Sequence, residues 1–412
     1  MTRQAARQLT FLVVTSLVGL AACTPPAAPV EDAPSSVAAP GVPSARKVVV
    51  SLPTASPTDA PTTEPSDTAM PSPTVSPTAL PSATATAAQP SGTVAPPADG
   101  LPASFELTGL THVYQKWNNC GPSTVLMALS PFGIHLDQMD VQAQIKPDRE
   151  DTNVTPEELA AFARGQGLRA RVRVNGDRDI VRALLRAGVP VIAEQWIHVE
   201  GRGEMGHYRV AVGYDDPASE FVAQDSYYGP GRRFSYDDFD RMWRPFAGAY
   251  VAVYRPEQEA AVAAAIGADW SDEAMRARAL ADHEARAAAA PADPWAWFAL
   301  GEVRSQAGQA AGAVEAFDRA IAIGLPFRAF WYQFGYYRAL VATGAYDRAL
   351  AHADATIDTM KGENLEESHY WRGVALRHVG RDEEARESFE RALAFNPLFA
   401  PAQGALAGAP TP

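Results

Sequence analysis

Gln115-Lys116-Trp117-Asn118-Asn119-Cys120-Gly121-Pro122-Ser123-Thr124 runs directly into Val125-Leu126-Met127-Ala128-Leu129, so a polar, turn-forming stretch gives way to an apolar run within a few residues. This pattern predicts a helix with Cys120 in its first turn. The free N–H groups and the positive end of the dipole at that point stabilise a thiolate, which lowers the thiol pKa and makes the sulfur nucleophilic near neutral pH. Gln115, five residues upstream, can aim an amide N–H at an oxyanion formed beside the sulfur. A small buried core residue is the commoner fate of a free cysteine. The rest of the chain decides between the two.

The chain has 412 residues, enough for two or three domains, and is 47% hydrophobic. Residues 24 to 100 hold 17 of the 34 prolines, together with Ser, Thr and Ala and no aromatic residue. A segment of this composition cannot bury enough apolar surface to offset its ordering entropy. It reads as an extended stalk over residues 23–100, with a short extended piece at Lys47-Val48-Val49-Val50. The net charge of −13 becomes −15 without Arg3 and Arg7, a balance that excludes the basic face a nucleic-acid partner would require.

Those two arginines precede the apolar run Phe11 to Leu20, and Leu20-Ala21-Ala22-Cys23 follows, giving residues 1–22 the three parts of an export signal. The run is too short to span a bilayer permanently. Ending on Leu-Ala-Ala-Cys, it resembles the lipobox of bacterial lipoproteins. That resemblance implies cleavage before Cys23, diacylglycerol on its sulfur, and an exported protein anchored by lipid to the bacterial cell membrane, facing outside the cytoplasm. Several acyl chains would hold it there stably, and the stalk would span about 50 Å as a flexible coil. Cys23 and Cys120 are the only cysteines. With Cys23 acylated, no intramolecular disulfide remains, and an outward-facing protein that keeps one oxidisable thiol has a use for it.

Residues 101–256 form the next domain. Helices are predicted from Cys120, over Asp137 to Ile145, after the Thr155-Pro156-Glu157-Glu158 capping box, and over Asp177 to Ala187. Strands are predicted at Arg169–Val174, Pro190–Trp196, His207–Tyr214, Phe221–Asp225 and Gly248–Tyr254. Helices lead and strands follow, which gives an α+β domain with a mainly antiparallel sheet. Gly201 to Gly206 matches a dinucleotide fingerprint in letters only, since it leads into a strand rather than a helix, and reads as a flexible loop. His112, His135 and His198 have no matched partners. The pairs Asp215-Asp216 and Asp237-Asp238 read as turn or helix-start residues, not metal ligands.

A thiol nucleophile needs a base to take its proton and a third group to orient that base. His207 opens one strand and Asp225 closes the next, and across the turn Asp215-Asp216-Pro217 those two ends come level at one edge of the sheet. The alternative readings are a half-buried histidine at a strand start and an aspartate capping the loop Ser226 to Gly231.

YQKWNNCGPST, GHYRVAVGYDD and FVAQDSYYG resemble the Cys, His and Asp motifs of papain-like cysteine peptidases of the bacteriocin-processing type, in particular their stand-alone relatives. The likeness covers about 155 residues and implies Cys120 as nucleophile, His207 as general base, Asp225 as orienting group and Gln115 as oxyanion donor. Asp225-Ser226 stands where the family often has Asp-Pro, and Gln115 lies one residue nearer the cysteine than in transporter-fused members. No metal or organic cofactor is implied.

Residues 257–292 are an Ala-rich helical linker or cap, broken at Pro291-Ala292-Asp293-Pro294. In residues 293–408 the chain repeats: Gly308, Gly344 and Gly380 recur every 36 residues, each followed five positions later by Ala313, Ala349 and Ala385. Gly301 and Gly373, and Phe317 and Phe389, lie two periods apart, small residues letting helices close on an aromatic. The units resemble tetratricopeptide repeats, the middle one out of register at Trp331 and Gly335. Such repeats imply a surface for a protein partner or substrate.

The expectation is therefore a lipid-anchored cysteine peptidase acting on a peptide or protein, with an all-α repeat domain behind it. The same triad could instead cleave a non-peptide amide or transfer an acyl group. An idle peptidase-like fold that only binds, or an assembly scaffold, is the other class of reading.

Overall fold

The computed structural model describes residues 102–361 and 364–412. The signal segment, Cys23 and the stalk lie outside the described residues. The described residues belong to one compact unit.

A seven-stranded sheet organises the first part. Its strands are β1 (Ser104–Glu106), β2 (Arg169–Arg173), β3 (Val191–Val199), β4 (Gly203–Asp215), β5 (Glu220–Asp225), β6 (Gly229–Ser235) and β7 (Tyr250–Tyr254), in the order β2-β7-β3-β4-β5-β6 with β1 beside β4. Every pairing in the sheet is antiparallel. One face carries Ile192, Tyr208, Val210, Val212 and Val251 against α1 (Cys120–Leu129), α2 (Gln138–Ile145) and α3 (Pro156–Gly165). The opposite face, with Val191, Ala193, Ala211 and Ala252, is covered by α4 (Arg178–Arg186) and α5 (Tyr236–Trp243). Burial on both faces explains why the central strands read as continuous apolar runs rather than alternating ones.

Local signals set the helix starts. Thr155 and Glu158 close the expected reciprocal capping box at α3, Asp137 and Asp177 cap α2 and α4, and Ser235 accepts from the Asp238 amide at the head of α5. Gly203 to Gly206 departs from the expected loop. It is the first part of β4, paired with Trp196 to Val199, so that β3 and β4 form one long hairpin. Gly229 to Ser235 is a strand too, and it begins inside the stretch Ser226 to Gly231 that the sequence offered as a loop. Cross-strand pairing supplies what these Gly-rich stretches lack in propensity.

The Ala-rich linker is two helices, α6 (Glu259–Ile266) and α7 (Asp272–Ala289), parted at Gly267, whose φ of +64° suits glycine, and at a 3-10 turn through Trp270. Helical pairs follow: α8 (Pro294–Gln306) with α9 (Ala310–Ile323), α10 (Gly335–Ala342) with α11 (Tyr346–Thr359), and α12 (Glu366–His378) with α13 (Asp382–Phe395), then α14 (Ala400–Leu406). A Cβ on Gly301 would come within 2.9 Å of the Phe317 ring, and one on Gly373 within 2.6 Å of Phe389. In the middle pair the sizes are exchanged, with Tyr337 at the glycine position and Ala353 at the phenylalanine position, both in the same core. The out-of-register residues are also explained. Phe327–Trp331 is a 3-10 turn, and α10 starts only at Gly335 and is eight residues long.

The helical part is joined to the sheet domain by a shared apolar cluster. Trp196, Phe246 and Ala249 meet Ala299, Val303, Trp331, Tyr332 and Leu365 there, and the Trp196 and Trp295 ring centroids are 4.7 Å apart. A second, polar seam lies nearby: Asn364 and Asp151 form a bridge, and Asn153 Nδ2 donates to Glu367 Oε1 at 2.9 Å.

Candidate active site

Cys120 is the first residue of α1 and is half-buried. The loop before it is tied down from several directions. Gln138 Oε1 accepts from the Lys116 backbone N–H at 2.7 Å and from Asn119 Nδ2 at 3.1 Å. Lys146, itself buried, donates from Nζ to the Asn118 carbonyl at 2.9 Å and to that of Asp151. Asn118 has a φ of +50°, the left-handed conformation asparagine tolerates, and this turn sets the chain into α1.

His207 Nε2 lies 3.0 Å from Asp225 Oδ1, which leaves Nδ1 for the sulfur side. Both groups are buried. The two strand ends are not level as expected: Asp225 stands opposite Arg209, and His207, two residues further along β4, reaches across. Asp225 also accepts from the Tyr227 and Tyr228 backbone N–H groups at 2.8 and 2.9 Å. It is thus the loop-capping residue and the histidine's partner at once. Its other oxygen accepts from Arg209 Nε at 2.6 Å. Arg209 is buried and donates to Gln195 Oε1 at 2.5 Å.

The electrostatics follow from this packing. Burial pushes the Cys120 thiol up, but the hydrogen bond and charge of His207, the charge of Lys146 and the Tyr208 backbone outweigh it, and the thiol lies below its ordinary value. Burial works against the His207 imidazolium, yet Asp225 and then Cys120 hold its pKa above the usual histidine value. For Asp225 too burial is opposed, by His207, Arg209 and the Tyr228 amide, and the carboxyl lies far below the usual range. Together these shifts favour a thiolate–imidazolium pair.

Gln115 is held at both ends. Its backbone N–H donates to the Ser226 carbonyl at 2.9 Å, and its side-chain Oε1 accepts from the Ser226 hydroxyl at 2.8 Å. The amide is thereby oriented with its oxygen occupied and its Nε2 available as donor. Gln115, Cys120 and His207 line one cleft of about 220 Å3. Ser226, the position that departs from Asp-Pro, therefore supports the glutamine. Arg209 and Lys146 carried no sequence signal that marked them; Ser226 was singled out only as the position of the missing proline. His112 contacts Gln224 Oε1 at 3.1 Å, outside the Cys120, His207 and Asp225 group. Among the described residues no set of His, Cys, Asp and Glu is grouped to hold a metal ion, and no helix is long and apolar enough to cross a membrane.

With this geometry in place, comparison with known proteins gives the class. Residues 108–253 match the Peptidase_C39 like family, and residues 366–399 match the tetratricopeptide repeat. The chain carries a C39-like peptidase domain, followed by a tetratricopeptide-like helical region. Among solved structures, one described as a C39-like peptidase from Bacillus anthracis is 14% identical, covering 37% of this chain and 98% of that one, with a TM-score of 0.31. The peptidase domain of Streptococcus ComA, a bi-functional ABC transporter involved in quorum sensing, is 18% identical over 35% of this chain and 96% of that one, TM-score 0.28. YrrB, a tetratricopeptide-repeat protein with a peptide-binding site, is 21% identical over 32% of this chain and 66% of that one, TM-score 0.28. No curated protein matches the chain.

Proposed function

We propose that this protein is a cysteine peptidase, tethered outside the cytoplasm, that cuts peptide bonds with Cys120, His207 and Asp225. The observation that carries the reading is the Asp225–His207 hydrogen bond beside a thiol of lowered pKa at the head of α1. The Cys120 thiolate attacks the peptide carbonyl carbon, and the oxyanion meets Gln115 Nε2 and a first-turn amide of α1. The C–N bond then breaks as the His207 imidazolium gives its proton to the leaving amine, and a thioester remains on Cys120. Water, losing a proton to His207, adds to the thioester carbonyl. Collapse releases the acid and restores thiolate and imidazolium.

The tether rests on Leu20-Ala21-Ala22-Cys23 with the apolar run before it, and the repeats are read as holding substrate or partner. Fatty-acid labelling that disappears in Cys23→Ser, with release of the protein from membranes, is the expected result for the anchor.

The catalytic reading is tested by alkylating Cys120 across pH. A rate plateau extending to acidic pH in the wild type, lost in His207→Ala, is expected, and peptide-library cleavage should vanish in Cys120→Ser. An ordinary thiol titration unaffected by His207→Ala would overturn it.

A further inference from the structure

The cleft beside Cys120 has walls from two parts of the chain. The peptidase domain contributes Trp117, Arg202 and Met205, and the helical part contributes Arg328 and Tyr332. Both of the latter belong to the stretch that breaks the repeat register, the 3-10 turn Phe327–Trp331 and the residue after it. The Tyr332 ring lies flat against the backbone next to His207, so closely that a Cβ on Gly206 would come within 2.7 Å of it. Arg328 donates to the Arg202 carbonyl at 3.3 Å, and its guanidinium sits 4.8 Å from the Trp331 ring centroid. Arg202 in turn lies over Trp117, 4.2 Å from the ring centroid.

The charges here are one-sided. Neither Arg202 nor Arg328 forms an ion pair with a carboxylate among the described residues, and no Asp or Glu lines the cleft. Arg328 Nε is buried without a hydrogen-bond acceptor. In a chain of net charge −13, two guanidinium groups without a carboxylate partner stand at this small cleft, and one buried donor, Arg328 Nε, is left without an acceptor. A carboxylate entering the cleft would meet this positive charge through charge-assisted hydrogen bonds.

We infer that the repeat segment carrying Arg328 and Tyr332 is part of the substrate site, and that Arg328 with Arg202 selects peptides bearing an acidic side chain beside the bond that is cut. The inference rests on the peptidase reading, but its first test does not need turnover. In the full chain, Cys120 is alkylated with iodoacetate and, separately, with iodoacetamide at the plateau pH. The ratio of the two rates is compared between the wild type, Arg328→Gln and Arg328→Lys.

The ratio should fall roughly five- to tenfold in Arg328→Gln and be kept in Arg328→Lys. A ratio unchanged in Arg328→Gln overturns the inference, whatever the protein cleaves. Matched peptides with Glu or Gln scanned along each side of the cut bond then read selectivity. A Glu preference in kcat/KM that disappears in Arg328→Gln supports the assignment, and equal cleavage of both series by the wild type sinks it. Should no peptide be cut while the alkylation ratio still depends on Arg328, the peptidase reading fails and anion selection by the cleft stands.

Discussion

The Ser226 hydroxyl bonded to Gln115 Oε1 at 2.8 Å gives that one residue a role beyond the turn. Gln115→Ala should lower kcat by about a hundredfold with little change in KM, since an oxyanion donor acts in the transition state. Ser226→Ala, which only frees the amide to rotate, should give a smaller drop of the same kind. In the proposed peptidase, His207 titration sets the alkaline limit of activity. Asp225 holds the imidazolium above its ordinary pKa, so Asp225→Asn should move the high-pH limb of kcat/KM to lower pH, as a pH-rate profile would record. Arg209 fills the other half of the Asp225 carboxylate inside the protein. Losing one partner of a buried pair leaves the other uncompensated, and Arg209→Gln should destabilise by about 3 kcal/mol in denaturant unfolding. Cys120, His207 and Asp225 were legible because each sits in a local context of turn and apolar run. Arg209 was not, because nothing near it in sequence tells that strand pairing sets it opposite Asp225.

At the scale of elements, glycines with fixed spacing proved to be places where two helices close on a ring. Gly373→Ala drives a Cβ into Phe389. It should destabilise by about 1–3 kcal/mol, with part of the loss recovered when Phe389→Leu is added, measured as a double-mutant cycle on thermal unfolding. The periodicity showed the outer two repeats directly. The middle repeat was obscured because Tyr337 and Ala353 put the large residue on the other helix, which preserves volume while erasing the pattern. β6 and the start of β4 were missed for a related reason. Their glycines carry a turn signature, and only the neighbouring strands overrule it.

The whole molecule depends on how its two parts are joined. At the polar seam, Asp151 and Glu158 of the peptidase domain lie with Glu366 and Glu367 of α12, with Lys146 as the nearby cation. Burial raises the pKa of all four carboxyls, that of Glu158 to about 7. A carboxyl whose folded pKa is raised binds its proton more tightly in the folded state. Its contribution is present at acidic pH and is lost as pH rises from the ordinary carboxyl range through the folded value. The melting temperature should therefore fall between about pH 5 and pH 7.5, and Glu367→Gln should flatten that slope. A melting temperature that rises steadily over the same interval would contradict this.

Sequence alone determined the α+β C39-like fold and the repeats, and it picked out Cys120, His207 and Asp225 as candidates that the fold brings together, because periodicity, caps and turn residues act within a few positions. Tertiary structure decided that a misfit repeat segment forms a wall of the cleft beside Cys120. It also decided which charges stand unpaired there and which carboxyls are buried at the seam. Those properties arise from contacts between residues more than a hundred positions apart, such as Arg328 with Arg202 and Asn153 with Glu367. Their energies come from desolvation and packing, to which local sequence pattern is blind.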